Sequence, residues 1–152
     1  MSFFAKLKSW VVVGAVLVFA GCESGEGVRL ADQAYGLNDI RAVIAEMCGG
    51  KLRQVNPSNR EMESPYYSRK KDDINFDAAT AKERLATRFQ ILGDRRPYQI
   101  YVQVNVEKRV GRNSYELVGE DPKLSEKTAQ ELEKLLHESL GKRNMIDDFR
   151  PF

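Results

Sequence analysis

Apolar and polar residues alternate without a break from Tyr98 to Val106. On an extended chain, Tyr98, Ile100, Val102, Val104 and Val106 fall on one side, and Gln99, Tyr101, Gln103 and Asn105 on the other. A period of two marks a β-strand with one buried and one wetted face. The wetted face predicts an antiparallel sheet. Gly111-Arg112-Asn113-Ser114 supplies a turn, and Tyr115 to Val118 returns as the partner strand, giving a hairpin over about 98–118.

Elsewhere the period lengthens. Ile40, Val43, Ile44 and Met47 follow the i, i+3, i+4, i+7 spacing of a helix over about 37–48. Asn38 is its expected N-cap, and Gly49-Gly50 its expected stop. Ala78, Ala81, Leu85, Phe89 and Leu92 recur at steps of three and four, which predicts a second helix over about 77–92, capped by Asp77 and closed by Gly93. The stretch Thr87 to Leu92 also fits a strand. Asp121-Pro122 opens a third helix over about 122–140, with Leu124, Thr128, Leu132, Leu135, Leu136 and Leu140 as its stripe and Gly141 as its end. Leu52 to Val55 reads as a short strand, and 57–73 as a long surface loop. Met145, Ile146, Phe149 and Phe152 in the tail can pack back on the domain. The order predicts an α+β fold: a small antiparallel sheet with a central hairpin, covered on one face by two or three amphipathic helices.

The start of the chain has another pattern. Lys6 and Lys8 precede an apolar run from Trp10 to Phe19, followed by the small residues Ala20 and Gly21 and then Cys22. A helix of ten residues spans about half of a ~30 Å hydrocarbon core. The run therefore fits the core of an export signal better than a membrane span. An ordinary secretory signal or an uncleaved anchor helix opens in the same way. Phe19-Ala20-Gly21-Cys22 resembles the lipobox of bacterial lipoproteins: an apolar residue, two small residues, then cysteine. The resemblance covers residues 1–22, and Phe19 stands where the family usually has Leu.

The resemblance implies cleavage between Gly21 and Cys22, a diacylglyceryl group on the Cys22 sulfur, and acylation (palmitate or a similar chain) of its new amino group. Each buried methylene contributes about 0.8 kcal/mol, so two or three chains hold the protein on a membrane effectively permanently. It divides the chain into a signal peptide 1–21, the lipidated cysteine with a short tether 22–27, and one globular domain 28–152. Five extended residues reach about 17 Å, which keeps the domain near the bilayer. In the family, Asp after the cysteine tends to retain the protein in the inner membrane. Glu23 at that place points to the periplasmic face of the outer membrane.

Composition fits this division. The chain has 152 residues, 42% apolar and 30% charged, in the range of globular proteins. Lys6 and Lys8 account for the whole formal charge of +2, so the mature chain is neutral once the signal is removed. A neutral domain gives no reason to expect nucleic acid as a partner. With Cys22 lipidated, Cys48 is a lone thiol, read as a small buried residue at a helix end. Without lipidation, a Cys22–Cys48 disulfide becomes possible.

Little in the sequence points to catalysis. His137 is the one histidine and has polar neighbours, Lys134 and Glu138, which predicts a side chain facing solvent or the helix edge, with no nucleophile or acid indicated in reach. His137 and Cys48 do not make a zinc set, and Asp72-Asp73 and Asp147-Asp148 lack calcium-loop spacing. No phosphate-binding glycine loop or nucleophile elbow occurs. No cofactor is implied. Arg95, Arg96, Lys108, Arg109 and Arg112 lie at the two ends of the long strand, and read either as solvated charges or as contacts to anionic lipid heads. The expected function is a non-catalytic docking or assembly component, partnered by the membrane through Cys22 and by an envelope protein complex. Its candidate contacts are Tyr66, Tyr67, Gln99, Tyr101 and Gln103, since tyrosine among amides suits a wet interface. The alternative is a periplasmic enzyme, or an enzyme inhibitor or ligand-binding lipoprotein.

Overall fold

The computed structural model describes residues 27–70, 73–76, 78 and 80–147, with side chains for all of these except 54, 55 and 140–147. The lipobox with Gly21 and Cys22, the residues Asp72 and Asp77, and the tail from 148 on lie outside the described residues. The elements are β1 (Val28–Gln33), α1 (Leu37–Met47), β2 (Gln54–Val55), β3 (Glu61–Glu63), β4 (Ser68–Lys70), β5 (Asp73–Asn75), β6 (Glu83–Leu92), β7 (Tyr98–Arg109), β8 (Tyr115–Glu120) and α2 (Pro122–Asp147). The α+β class and the antiparallel sheet are as the sequence predicts.

The long strand β7 organises the sheet, whose order is β1-β7-β6-β3-β2. β6 pairs with β7 from Gln99 to Lys108 and so occupies one edge. β1 and β8 divide the other edge: β1 runs against Tyr98–Val102 and β8 against Asn105–Arg109. Val104 falls in the gap between them. Its N–H donates to Ser125 Oγ at 2.9 Å, and its carbonyl accepts from the Asp121 N–H at 2.9 Å. The first turn of α2 thus completes a ladder that no strand completes, and Ser125 is fully buried there. An unsatisfied backbone group at that place would cost about 1–3 kcal/mol.

The helices cover one face. Ile100, Val102 and Val104 of β7 and Phe89 and Ile91 of β6 are fully buried, as are Ile40 and Ile44 of α1 and Leu132 and Leu136 of α2. The helices bury Ile40, Val43 and Ile44 of α1 and Thr128, Leu132 and Leu136 of α2, where the sequence places their stripes. α2 starts at the expected Asp121-Pro122, with the Leu124 N–H donating to Asp121 Oδ1 at 3.0 Å. α1 ends at Gly49 and Gly50, both in the left-handed region (φ 70° and 77°), where the Gly50 N–H reaches Ala45 O at 2.8 Å. Among the described residues no helix is long and apolar enough to cross a membrane.

Four expectations are corrected. The predicted helix over 77–92 is not one: Glu83–Leu92 is β6. Leu85 and Phe89 satisfy both periods, and the inward set Leu85, Thr87, Phe89, Ile91 is spaced by two. Pairing on both sides, with β7 and β3, decides for strand. The segment 57–73 is no free loop. It supplies β3 and β4, and buries Met62, Ser64 and Tyr67. The cap of α1 is Gly36, not Asn38; its carbonyl accepts the first helical N–H groups, and a Cβ there would lie 2.8 Å from Asp39 Oδ2. Finally, α2 runs through Gly141 to Asp147. One glycine in a helix interior costs only about 1 kcal/mol, too little to end it.

Candidate functional site

The face of the sheet turned away from the helices is the candidate site. Gln99, Tyr101, Gln103 and Asn105 of β7 are all half-buried on it, two residues apart along the strand. Register fixes their neighbours. Tyr101 lies between Arg29 of β1 and Gln90 of β6, and Gln103 lies opposite Arg88. Gln103 also donates to Glu120 Oε2 at 3.3 Å. Three of the predicted contact residues, Gln99, Tyr101 and Gln103, are thus brought into one row on an accessible surface.

Tyr66 and Tyr67 part company. Consecutive residues in extended chain point to opposite faces. Tyr67 is a correction: it is 4% exposed, with its hydroxyl 2.9 Å from Thr87 Oγ1, and belongs to the core rather than to a docking surface. Tyr66 points to the helix-free face and enters a stack there. The Arg53 guanidinium carbon lies 4.0 Å from the Tyr66 ring centroid, and that of Arg84 lies 3.5 Å from it. Arg84 also lies 3.5 Å from the ring centroid of Tyr115. Cations and rings therefore alternate: Arg53, Tyr66, Arg84, Tyr115.

Carboxylates fix the cations of this stack. Arg84 donates through Nε and Nη2 to Glu107 Oε2 at 2.8 and 2.6 Å. Arg53 donates to Glu63 Oε2 at 2.5 Å and to the Tyr66 hydroxyl at 2.7 Å. The Tyr115 hydroxyl donates to Ala81 O at 2.9 Å. Each cation–π contact contributes about 0.5–1 kcal/mol at such half-exposed sites. The stack holds four side chains from distant parts of the chain in fixed positions. Next to it, Arg88 pairs with Glu61, which also accepts from Asn56 Nδ2 at 3.1 Å. The Arg88 and Asn56 hydrogen bonds hold the Glu61 carboxyl below the usual range. An open pocket of about 410 Å³ lies where Arg53, Tyr66 and Arg84 meet Lys51, Pro65 and Phe76.

The remaining titratable groups lie elsewhere. Cys48 is buried, 4% exposed, and burial pushes its thiol up to about 11. His137 is exposed, as expected, and its Nδ1 sits 2.9 Å from the Tyr35 hydroxyl. Burial, then the Glu133 charge, pushes that hydroxyl up. Among the described residues no group of three His, Cys, Asp or Glu could hold a metal ion.

Sequence reasoning missed Arg53, Arg84, Glu107 and Tyr115 as site residues. Arg84 and Glu107 share one signal, since each stands on the polar side of a strand. No family model, no curated protein and no solved structure matches the chain.

Proposed function

We propose that the chain is a lipid-anchored component of a bacterial cell envelope, a lipoprotein that docks another envelope protein on its bare sheet face and carries out no catalysis. The observation that carries this reading is the row Gln99, Tyr101, Gln103 and Asn105, half-buried on a face without helices and flanked by the fixed Arg53–Tyr66–Arg84–Tyr115 stack. Amides both donate and accept, and tyrosine offers a broad ring with few rotamers to freeze, a composition suited to wet protein interfaces. The lipobox Phe19-Ala20-Gly21-Cys22 supports the anchor, and Glu23 supports the periplasmic face of the outer membrane.

The test is cross-linking in the native membrane followed by purification of the anchored protein. One partner should be recovered with the natural chain and lost with the pair Tyr101→Ala, Gln103→Ala at equal protein level. Equal recovery with both would sink the docking face. The anchor has a separate test: incorporation of a palmitate analogue should vanish in Cys22→Ala, and persistence of the label would refute it. The ligand-binding alternative has one observation in its favour, the open pocket beside Arg53, Lys51 and Phe76. A small molecule that co-purifies with the natural chain but not with Arg53→Ala would establish that reading instead.

A further inference from the structure

We infer that the β8 edge of the sheet is the side that faces the bilayer, with Val110, Leu117 and Val118 entering the boundary between lipid headgroups and acyl chains. This rests on the anchor at Cys22 proposed above.

The first ground is the composition of that edge. Val110, Leu117 and Val118 are 62%, 61% and 56% exposed, the three most exposed of the large apolar side chains among the described residues. They share one hairpin. Glu107 pairs with Leu117 and Val106 with Gly119, so Val118 is the extra residue of a bulge. The bulge breaks the alternation that would otherwise turn one of the two side chains inward. β8 pairs with β7 alone. An edge strand that also carries exposed apolar side chains is a surface that proteins normally cover.

The second ground is where the chain ahead of the domain arrives. Gly27 lies against β7 so closely that a Cβ would come 2.7 Å from Val102 O. Val28 pairs with Val102, on the same edge of β7 that β8 occupies farther along. Glu120 of β8 lies opposite Asn105, three residues from Val102, and Leu117 opposite Glu107, five residues away. At about 3.3 Å per residue these are separations of roughly 10 and 17 Å. From Cys22 to Gly27 the chain reaches at most about 17 Å. An anchor that short brings the β8 edge down to the surface that holds Cys22.

Charge is divided along the hairpin, with cations at its tip and acids along β8. Lys108, Arg109 and Arg112 stand at the hairpin tip. Arg109 donates to the carbonyls of Thr80, Gly111 and Arg112, contacts that fix it without neutralising it. Of the acids nearby, Glu83 lies 3.6 Å from Lys108 and offsets it, Glu116 stands opposite Lys108 in register, and Glu120 accepts from the uncharged groups of Gln103 and Ser125. Arg109 and Arg112 are then the cations that the tip can offer to lipid phosphates. The sheet then meets the membrane at its β8 edge.

The experiment uses the full chain, made in a bacterial host, extracted and reconstituted into vesicles of phosphatidylcholine and phosphatidylglycerol at about three to one. An environment-sensitive fluorophore is placed on Val118→Cys and, as control, on Ser58→Cys in the turn between β2 and β3. Cys48 is buried and stays unlabelled. Nitroxide-bearing lipids should quench the probe at 118 several-fold, with a blue-shifted emission, and leave the probe at 58 unchanged. Equal, water-like signals from both probes on lipidated protein would overturn the inference and leave the anchor standing. Energy transfer between probes at 118 on two molecules would overturn it in favour of β8–β8 pairing between copies. Palmitate label that persists in Cys22→Ala would overturn the anchor, and this inference with it.

Discussion

The two faces of β7 are made by one strand and behave as two different materials. On the helix side, Ile100 and Val102 are fully buried in one cluster with Phe89, Leu132 and Leu136, and Val104 is fully buried beside Tyr67 and Leu85. On the other side, Gln99, Tyr101, Gln103 and Asn105 stay half-exposed, and order comes from stacked rings, guanidiniums and carboxylates. Dispersion and dehydration hold the first face; directional contacts hold the second. The lesson is a division of labour. The polar face can vary at small cost because the other supplies the stability.

That division can be broken, and the largest effect should come from the covered face. Phe89→Ala should lower stability by about 3–5 kcal/mol, read as a shift of the urea midpoint, while Tyr101→Ala on the same ladder should cost under about 1 kcal/mol. Equal losses would abolish the distinction. Ser125→Ala should come next at about 1–3 kcal/mol, because the Val104 N–H loses its acceptor inside the fold. Faster hydrogen exchange at Val104 would mark the cause.

On the bare face, Arg84→Met should cost about 1–2 kcal/mol by removing the centre of the stack and the Glu107 pair. Arg84→Lys should restore little, because a point charge cannot stack between two rings. A pH titration separates the faces again. In the folded chain the Cys48 thiol ionises near 11 instead of near 9. Below about 9 both folded and unfolded chains keep the proton, and stability is full. As pH rises from 9 towards 11 the unfolded chain releases its proton first, and stability falls. Cys48→Ala should flatten that alkaline limb. The smallest effect on stability is expected for Gln103→Ala, under about 0.5 kcal/mol by denaturant titration. Its effect should instead be seen in partner recovery.

Much of the covered face was legible in the sequence, and the reason is periodicity. β7, its hairpin with β8, and both helices repeat one period over enough residues to exclude the other. β6 does not. Thr87 puts a polar residue in its inward row, and Leu85 and Phe89 are spaced for a helix as well as a strand. β1, β3 and β4 are short, and their inward side chains are too few to show a period: Leu30 and Gln33 from β1, Met62 from β3. The row Gln99, Tyr101, Gln103 and Asn105 could be read from β7 alone. The stack could not, because Arg53, Tyr66, Arg84 and Tyr115 are far apart in sequence and meet only once the sheet is assembled.

The gap at Val104 has a mechanical consequence. β1 and β8 lie end to end on one edge of β7 without bonding to each other. A pull on the chain ahead of Gly27, directed away from that edge, loads the Val28–Val102 pair first and then Leu30–Ile100, one rung after another. β8 shares none of that load, since Ser125 and Asp121 tie Val104 to the helix and not to β1, and α2 resists only through its packing on Leu30. Under tension β1 is the part built to peel, and the polar row on β7 outlasts it.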